Sequence, residues 1–324
     1  MRRIDEYLLS KSTKRSVVKA TSDNIRSIVW DELNELGRDA DLNHIDVSEV
    51  TDMDGLFSER HFCGDVSEWD VSNVRTMRRM FYRNDNFNCD ISKWNTRSLE
   101  DMSTMFYDCF KFNQDLGAWE TSNVKNLDLT FCGCHSFDGK GLSKWDISSV
   151  TSLNGTFMNA RKFTEDISAW DVSNVADASN CFMNCEALRL DLSKWRFTNA
   201  KSLANLFWGC SCINFDVSDL YDGHGMWNAS GMFCRCPSFT GKGLEKWDMS
   251  SVTRADNMFN GCKKLNVDLS GWDVSRIYTA ISMFEDCASL NFDASKMNFG
   301  IKHKSNSIKM FRNSGIKPSK QWKL

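Results

Sequence analysis

Several things are scarce in these 324 residues, and each scarcity excludes a class of protein. No apolar run approaches the roughly 18 residues that a membrane-crossing helix needs, so no helical span is expected. A basic excess is missing: 40 Lys and Arg against 43 Asp and Glu leave a net charge of −3. That removes the broad positive field of a general nucleic-acid binder. There are only 5 His (His44, His61, His135, His224 and His303), and none pairs with a neighbour at hydrolase or zincin spacing. Near the N-terminus the one apolar pair is Leu8-Leu9, closed by Ser10-Lys11-Ser12. A secretory h-region needs about 7–15 apolar residues, so a cytoplasmic chain is expected, surface-borne only if a leader has been removed.

Proline is down to 2, whereas Trp and Cys stand at 12 and 13. An odd cysteine count in so long a chain argues against a disulfide framework and for reduced thiols used as small buried hydrophobes. Hydrophobic residues at 41% and a mean hydropathy of −0.43 fit an ordinary folded protein. The length alone would suggest two domains. Twelve Trp suggest repetition instead.

A repeat does dominate the chain. Trp stands at 69, 94, 119, 145, 170, 195, 247 and 272, at steps of 25 or 26 residues with one double step in which Leu220 takes the missing place. Ile45 and Met297 extend the column at either end. A second column confirms the register: Phe57, Phe81, Phe106, Phe131, Phe157, Phe182, Phe207, Phe233, Phe259, Phe284 and Phe311. In the unit at 69–93, Trp69 and Val71 alternate as in a short strand. Val74, Met77, Met80 and Phe81 fall at helical spacing, with Ser72 placed to cap a short helical turn. Asn84 to Asp90 is turn-rich, and Asp90-Ile91-Ser92 can form a second extended piece. Such a unit cannot bury eight apolar side chains alone, but stacked copies can, so a solenoid is expected.

These residues resemble the BspA-like leucine-rich repeat family, in the W-D-V-S-N-V-x-x-M-x-x-M-F-x-x-C-x-x-F-N-x-D-I-S variant seen in mycoplasma-lipoprotein-type repeats. Trp69-Asp70-Val71-Ser72-Asn73-Val74, Met105-Phe106, Cys109, Phe112-Asn113 and Asp115 carry the resemblance, which covers residues 45–313. It implies a leucine-rich-repeat-like solenoid, often on the cell surface of bacteria, and no catalytic residues. The fold expected is therefore an α/β repeat protein of about ten 25-residue units, short strands alternating with short helical turns. Residues 1–44 read as an N-terminal cap, with a helix near 22–36 capped by Ser22 and stopped by Gly37. Residues 45–313 read as the solenoid and 314–324 as a basic C-terminal tail, loose after Pro318. Residues 1–20 carry a net +4 and 297–324 a net +7, which leaves the body at −14.

Each chemistry-bearing feature has a structural alternative. Cys109, Cys134, Cys185, Cys210, Cys236, Cys262 and Cys287 lie three residues after a column Phe, where Asn84, Ala160 and Ser314 also occur, so small size is what the slot requires. Cys132, Cys134 and His135 cluster, but not at zinc-site spacing. Stacked Asp rows, such as Asp90, Asp115 and Asp166 or Asp70, Asp146 and Asp171, are read as turn caps rather than calcium ligands. The Trp column is read as core, because Ile45, Leu220 and Met297 replace it, rather than as a sugar-stacking ladder. The two Gly-Lys-Gly-Leu loops at 139–142 and 241–244 lack phosphate-loop spacing and absorb one extra residue.

What remains is binding. The residue after the column Phe holds Tyr82, Tyr107, Trp208, Met158 and Met183, but also Asn260 and Glu285, a half-exposed row that either simply covers the helical turn or is of the kind enriched at interfaces. The irregular unit near Tyr221, His224 and Trp227, with Gly223, Gly225 and Gly231, breaks the pattern where a loop could approach another surface. The expectation is a non-catalytic, monomeric protein-interaction module. It would need no cofactor or metal, bind no nucleic acid, and meet a basic protein partner at those six aromatic and imidazole residues. A carbohydrate- or host-surface-binding adhesin is the alternative.

Overall fold

The computed structural model describes residues 15–316. Strand β1 (Val18–Thr21), helix α1 (Ile25–Leu36) and strand β2 (Ile45–Glu49) open the chain, with Val18 of β1 opposite Ile45 of β2 in a parallel pair. From there the backbone winds as a solenoid. A line of parallel bridges joins equivalent residues of successive coils, from Asp52 and Thr76 through Asp101 and Asn126 to Arg254 and Thr279. The column Phe rings stack from Phe57 to Phe311 at 5.4–5.9 Å between centroids, which defines eleven coils.

Among the described residues, the helical turn expected between the column Trp and Phe of each unit occurs only in the last coil, as a 3-10 turn at Lys304–Ser307, and α1 is the only α-helix. The stretch Met77–Asn84 shows what replaces it elsewhere. The N–H groups of Met77, Arg79, Phe81 and Arg83 donate to the carbonyls of Asp101, Ser103, Met105 and Tyr107 in the next coil, at 2.7–3.1 Å. The alternate N–H groups, of Met80, Tyr82 and Asn84, close four-residue turns onto the carbonyls of Met77, Arg79 and Phe81. A helix would consume every one of these donors within its own coil and leave nothing to join coils. Alternate turns place their third residue at positive φ, 55° at Arg79 and 56° at Arg83, as a type II turn requires. Along the two columns so created, Gly and Asn are frequent (Gly133, Gly155, Asn180, Asn184), but Thr104 and Leu129 are held there too. Ser72 is not a helix cap: its N–H donates to Asp70 Oδ1 at 3.0 Å. Asp90-Ile91-Ser92 is likewise a turn, with Ser92 N–H on Asp90 Oδ1.

The interior is aromatic and continuous. The column Trp residues are buried, and their indole N–H groups donate to a backbone carbonyl one coil back: Trp69 to Leu42, Trp145 to Leu116, Trp195 to Ile167, at 2.9–3.1 Å. The expected sugar-free core reading of this column therefore holds. Where Leu220 replaces Trp, the neighbouring Tyr221 turns inward and meets Trp247 edge-on at 5.8 Å, restoring aromatic volume.

Helix α1 covers the first coil with Ile25 and Val29. Its N-cap residue is Asn24, whose Oδ1 accepts the Thr21 N–H. Ser22, expected in that role, instead accepts the Thr51 N–H on its Oγ and so fastens the cap to the solenoid. Arg26 reaches across to the Asp54 carbonyl, an acceptor that has no earlier coil to serve it. Gly37, at φ 88°, ends the helix with its N–H on the Leu33 carbonyl. The basic tail expected after Pro318 lies outside the described residues.

Candidate functional site

The turn face of the solenoid carries one feature that coil stacking does not account for. The residue after each column Phe projects from this face, and over coils two to eight it is apolar or aromatic throughout: Tyr82, Tyr107, Cys132, Met158, Met183, Trp208 and Cys234. The two Cys are buried and the rest half-buried. Beyond them the row turns polar at Asn260 and Glu285. Tyr82 and Tyr107 stack at 5.0 Å. Arginines sit over the rings at both ends: Arg83 at 5.1 Å and Arg79 at 6.0 Å from Tyr82, Arg235 at 5.9 Å from Trp208.

Trp208 is held from below by a glycine. A Cβ on Gly231, φ 64°, would sit 2.0 Å from Asn205 Oδ1 and 2.7 Å from the Trp208 ring. The positive-φ columns flank the stripe with side-chain amides that bond along the axis: Asn205 Nδ2 to Asn180 Oδ1 and Asn184 Nδ2 to Asn159 Oδ1, both 2.9 Å. These amides tolerate positive φ and satisfy one another, so the face between Leu129 and Gly231 is nearly free of charge. Its carboxylates are tied down. Asp128 accepts from Ser152 Oγ and the Asn154 N–H, and burial pushes its carboxyl above the ordinary value. Asp177 takes Asn154 Nδ2 at 3.1 Å and the Ser179 N–H at 2.8 Å.

The six residues singled out in the sequence do not form one site. Tyr82, Tyr107 and Trp208 lie in the stripe. Tyr221 is only 2% exposed, and its hydroxyl meets Ser251 Oγ at 2.8 Å, so it is a core residue and not a contact. His224 projects from the loop beside Asp222. Trp227 is 45% exposed but stands in the line of Lys201, Thr253 and Tyr278, before the bridge residue of its coil rather than after it. The three glycines serve the chain's own coils. A Cβ on Gly223 would press on Asp248, one on Gly225 on the Lys201 ammonium, and one on Gly231 on Trp208. The Gly-Lys-Gly-Leu loops behave the same way: Gly141, φ 91°, passes against Gly117 and leads into a 3-10 turn at Leu142–Lys144.

The remaining candidates have structural partners. The Cys134 thiol donates to the Phe106 carbonyl at 3.0 Å, and the His135 ring stacks on Phe110 at 4.9 Å. The column Asp residues each accept the N–H two residues on, as Asp70 does from Ser72, Asp166 from Ser168 and Asp216 from Ser218. One open groove of about 630 Å³ runs beside the first coils, past Asn73, Arg97 and Asn123. Within it Glu100 bonds both Arg75 and Lys125, and Glu49 at its edge pairs with Lys19. Sequence reasoning missed Arg79 and Arg235. The available signal was their place, three residues before and one after a stripe position.

The architecture makes this a tandem-repeat protein: inner coils stack on others of their own kind and repeat the same inter-coil hydrogen bonds. The chain belongs to the DUF285 family, described as "Mycoplasma protein of unknown function", whose model matches residues 27–142, 115–220 and 218–322. A comparison with curated proteins finds no match. Among solved structures the chain is similar to one titled "Crystal structure of TLR13-ssRNA13 complex", at 12% identity and a TM-score of 0.23. The match covers 93% of this chain and 54% of that one, so this chain spans about half its length. No helix among the described residues is long and apolar enough to cross a membrane.

Proposed function

We propose that this chain is a non-catalytic protein-interaction module of the BspA-like, leucine-rich-repeat-like kind, and that it meets its partner along the stripe from Tyr82 to Trp208. One observation carries the reading. Seven consecutive coils keep an apolar or aromatic residue at a position that tolerates Asn260 and Glu285 elsewhere, so core packing does not demand it. An apolar row flanked by satisfied amides and rimmed by arginine is the anatomy of an interface centre.

The test is site-specific photocrosslinking in an extract of the source cell. A crosslinker at Met183 should yield a discrete protein adduct, and one at Ala169, exposed on another coil face, should not. Equal adducts from both positions would count against the stripe. A second reading, a carbohydrate- or host-surface-binding adhesin, is favoured by Trp227 and Tyr278, 45% and 48% exposed in one line two coils apart. Glycan-array binding lost in the Trp227→Ala, Tyr278→Ala double variant would support it.

A further inference from the structure

The pitch and charge of the stripe identify the kind of partner, on the protein-interaction reading above. Along the stripe, Tyr82 and Tyr107 are 5.0 Å apart, and the Phe rings beneath step by 5.4–5.9 Å per coil. One turn of an α-helix rises about 5.4 Å. Same-face residues of an extended strand recur about every 6.6 Å. A helix laid along the solenoid axis therefore keeps one side chain per turn in step with one side chain per coil. A strand falls out of register within a few coils. The five coil steps from Tyr82 to Trp208 match about five helical turns, or roughly 18 residues. Met158 and Met183 occupy the middle, and flexible thioethers absorb the small difference in pitch.

Charge adds the ends. The acids that make the body negative are mostly committed to turns, as Asp70, Asp166 and Asp216 are, away from the stripe. At either end of the stripe stand guanidiniums, and the carboxylate of Asp108 lies beside Tyr107. Arg78 lies between Asp54 and Asp101, and Arg83 between Glu59 and Asp108. Arg79 and Arg235 meet no carboxylate among the described residues, and both are exposed beside an aromatic ring. These two guanidiniums make an acidic segment a better complement for the ends of this face than the basic partner that net charge suggests.

We infer that the stripe receives an amphipathic α-helix of a protein partner, laid along the solenoid axis. One apolar residue per turn would pack on Tyr82, Tyr107, Met158, Met183 and Trp208, and acidic side chains at its two ends would meet Arg79 and Arg235. Such a contact draws affinity from the apolar face of the helix and orientation from the end charges.

The experiment is selection of a displayed library of random 20-residue peptides on the full chain. Enriched peptides should carry apolar residues at i, i+3 or i+4, and i+7, with acids near both ends. A central proline should abolish their binding. Met183→Asp should weaken them at least tenfold, with an unchanged melting curve confirming the fold and Trp208→Ala as a second variant. Arg79→Gln and Arg235→Gln should each weaken them several-fold and flatten the salt dependence. Peptides that alternate apolar and polar residues, accept the central proline and still fail on Met183→Asp would overturn the helix while leaving the protein-interaction reading intact. Peptides indifferent to Met183→Asp would remove the stripe as the site. Failure to enrich any peptide, with immobilised glycans retained by the chain and released by Trp208→Ala, would overturn both.

Discussion

The slot three residues after the column Phe shows how much one side chain decides. Cys109, Cys185 and Cys262 donate their thiols to the carbonyls of Phe81, Phe157 and Phe233, one coil back, at 2.9–3.0 Å. Asn84 does the same through Nδ2 on Phe57 at 2.7 Å, and its Oδ1 accepts the Phe62 N–H at 2.7 Å. From Asn84 to Cys287 the slot therefore asks for a small donor, not for small size alone, with Ala160 the exception. Asn84→Ala would strand a buried carbonyl and a buried N–H and should cost about 2–4 kcal/mol. Cys185→Ala loses one weak donor and little volume and should cost about 1 kcal/mol. Urea titration of both variants checks this. Equal losses would mean that size is all the slot selects.

At the scale of the element, the turns titrate. Hydrogen bonds from the Ser72 side chain and backbone hold the Asp70 carboxyl below its ordinary value, and the Ser173 bonds do the same for Asp171. At Asp216 the Ser218 N–H, the Ser218 side chain and the Lys242 ammonium lower it from 3.8 to about 2. A carboxylate whose folded value is depressed contributes stability that is complete above its unfolded value. That contribution is lost as pH falls through the folded one. The urea midpoint should therefore stay level above about pH 5 and fall between roughly pH 4 and pH 2, with many turns acting in the same window. Half-buried Asp128 runs the other way, since its folded value is raised. A midpoint that held down to pH 2 would mean that these turns do not depend on ionised Asp.

For the whole molecule, stability is a sum of coils and the contacts between them. Trp145 lies in the middle of the stack, between Trp119 at 6.3 Å and Trp170 at 6.5 Å, with its indole N–H on the Leu116 carbonyl. Trp145→Ala should cost roughly 3–5 kcal/mol, as truncation of a buried aromatic does. It should also broaden the unfolding transition, because the two halves lose part of their shared interface. Calorimetry reads both effects. An unchanged melting temperature would mean that the column contributes no coupling between coils.

The repeat length, the inward columns of Trp, Phe, Met and Cys, and the capping helix were legible in the amino-acid order, because period and apolarity report which side chains turn inward. The stripe was legible in part: Tyr82, Tyr107 and Trp208 lie on it, whereas Tyr221 is core. The backbone between the columns was not legible. Val74, Met77, Met80 and Phe81 suit a helical face and a run of stacked turns equally well. What separates the two is whether each N–H finds its acceptor four residues back or in a coil some 25 residues away, and local spacing carries no record of that neighbour. For the same reason only the tertiary structure could turn Tyr221 inward beside Trp247, seat Trp208 over Gly231 and place Arg79 and Arg235 beside the rings at the ends of the stripe.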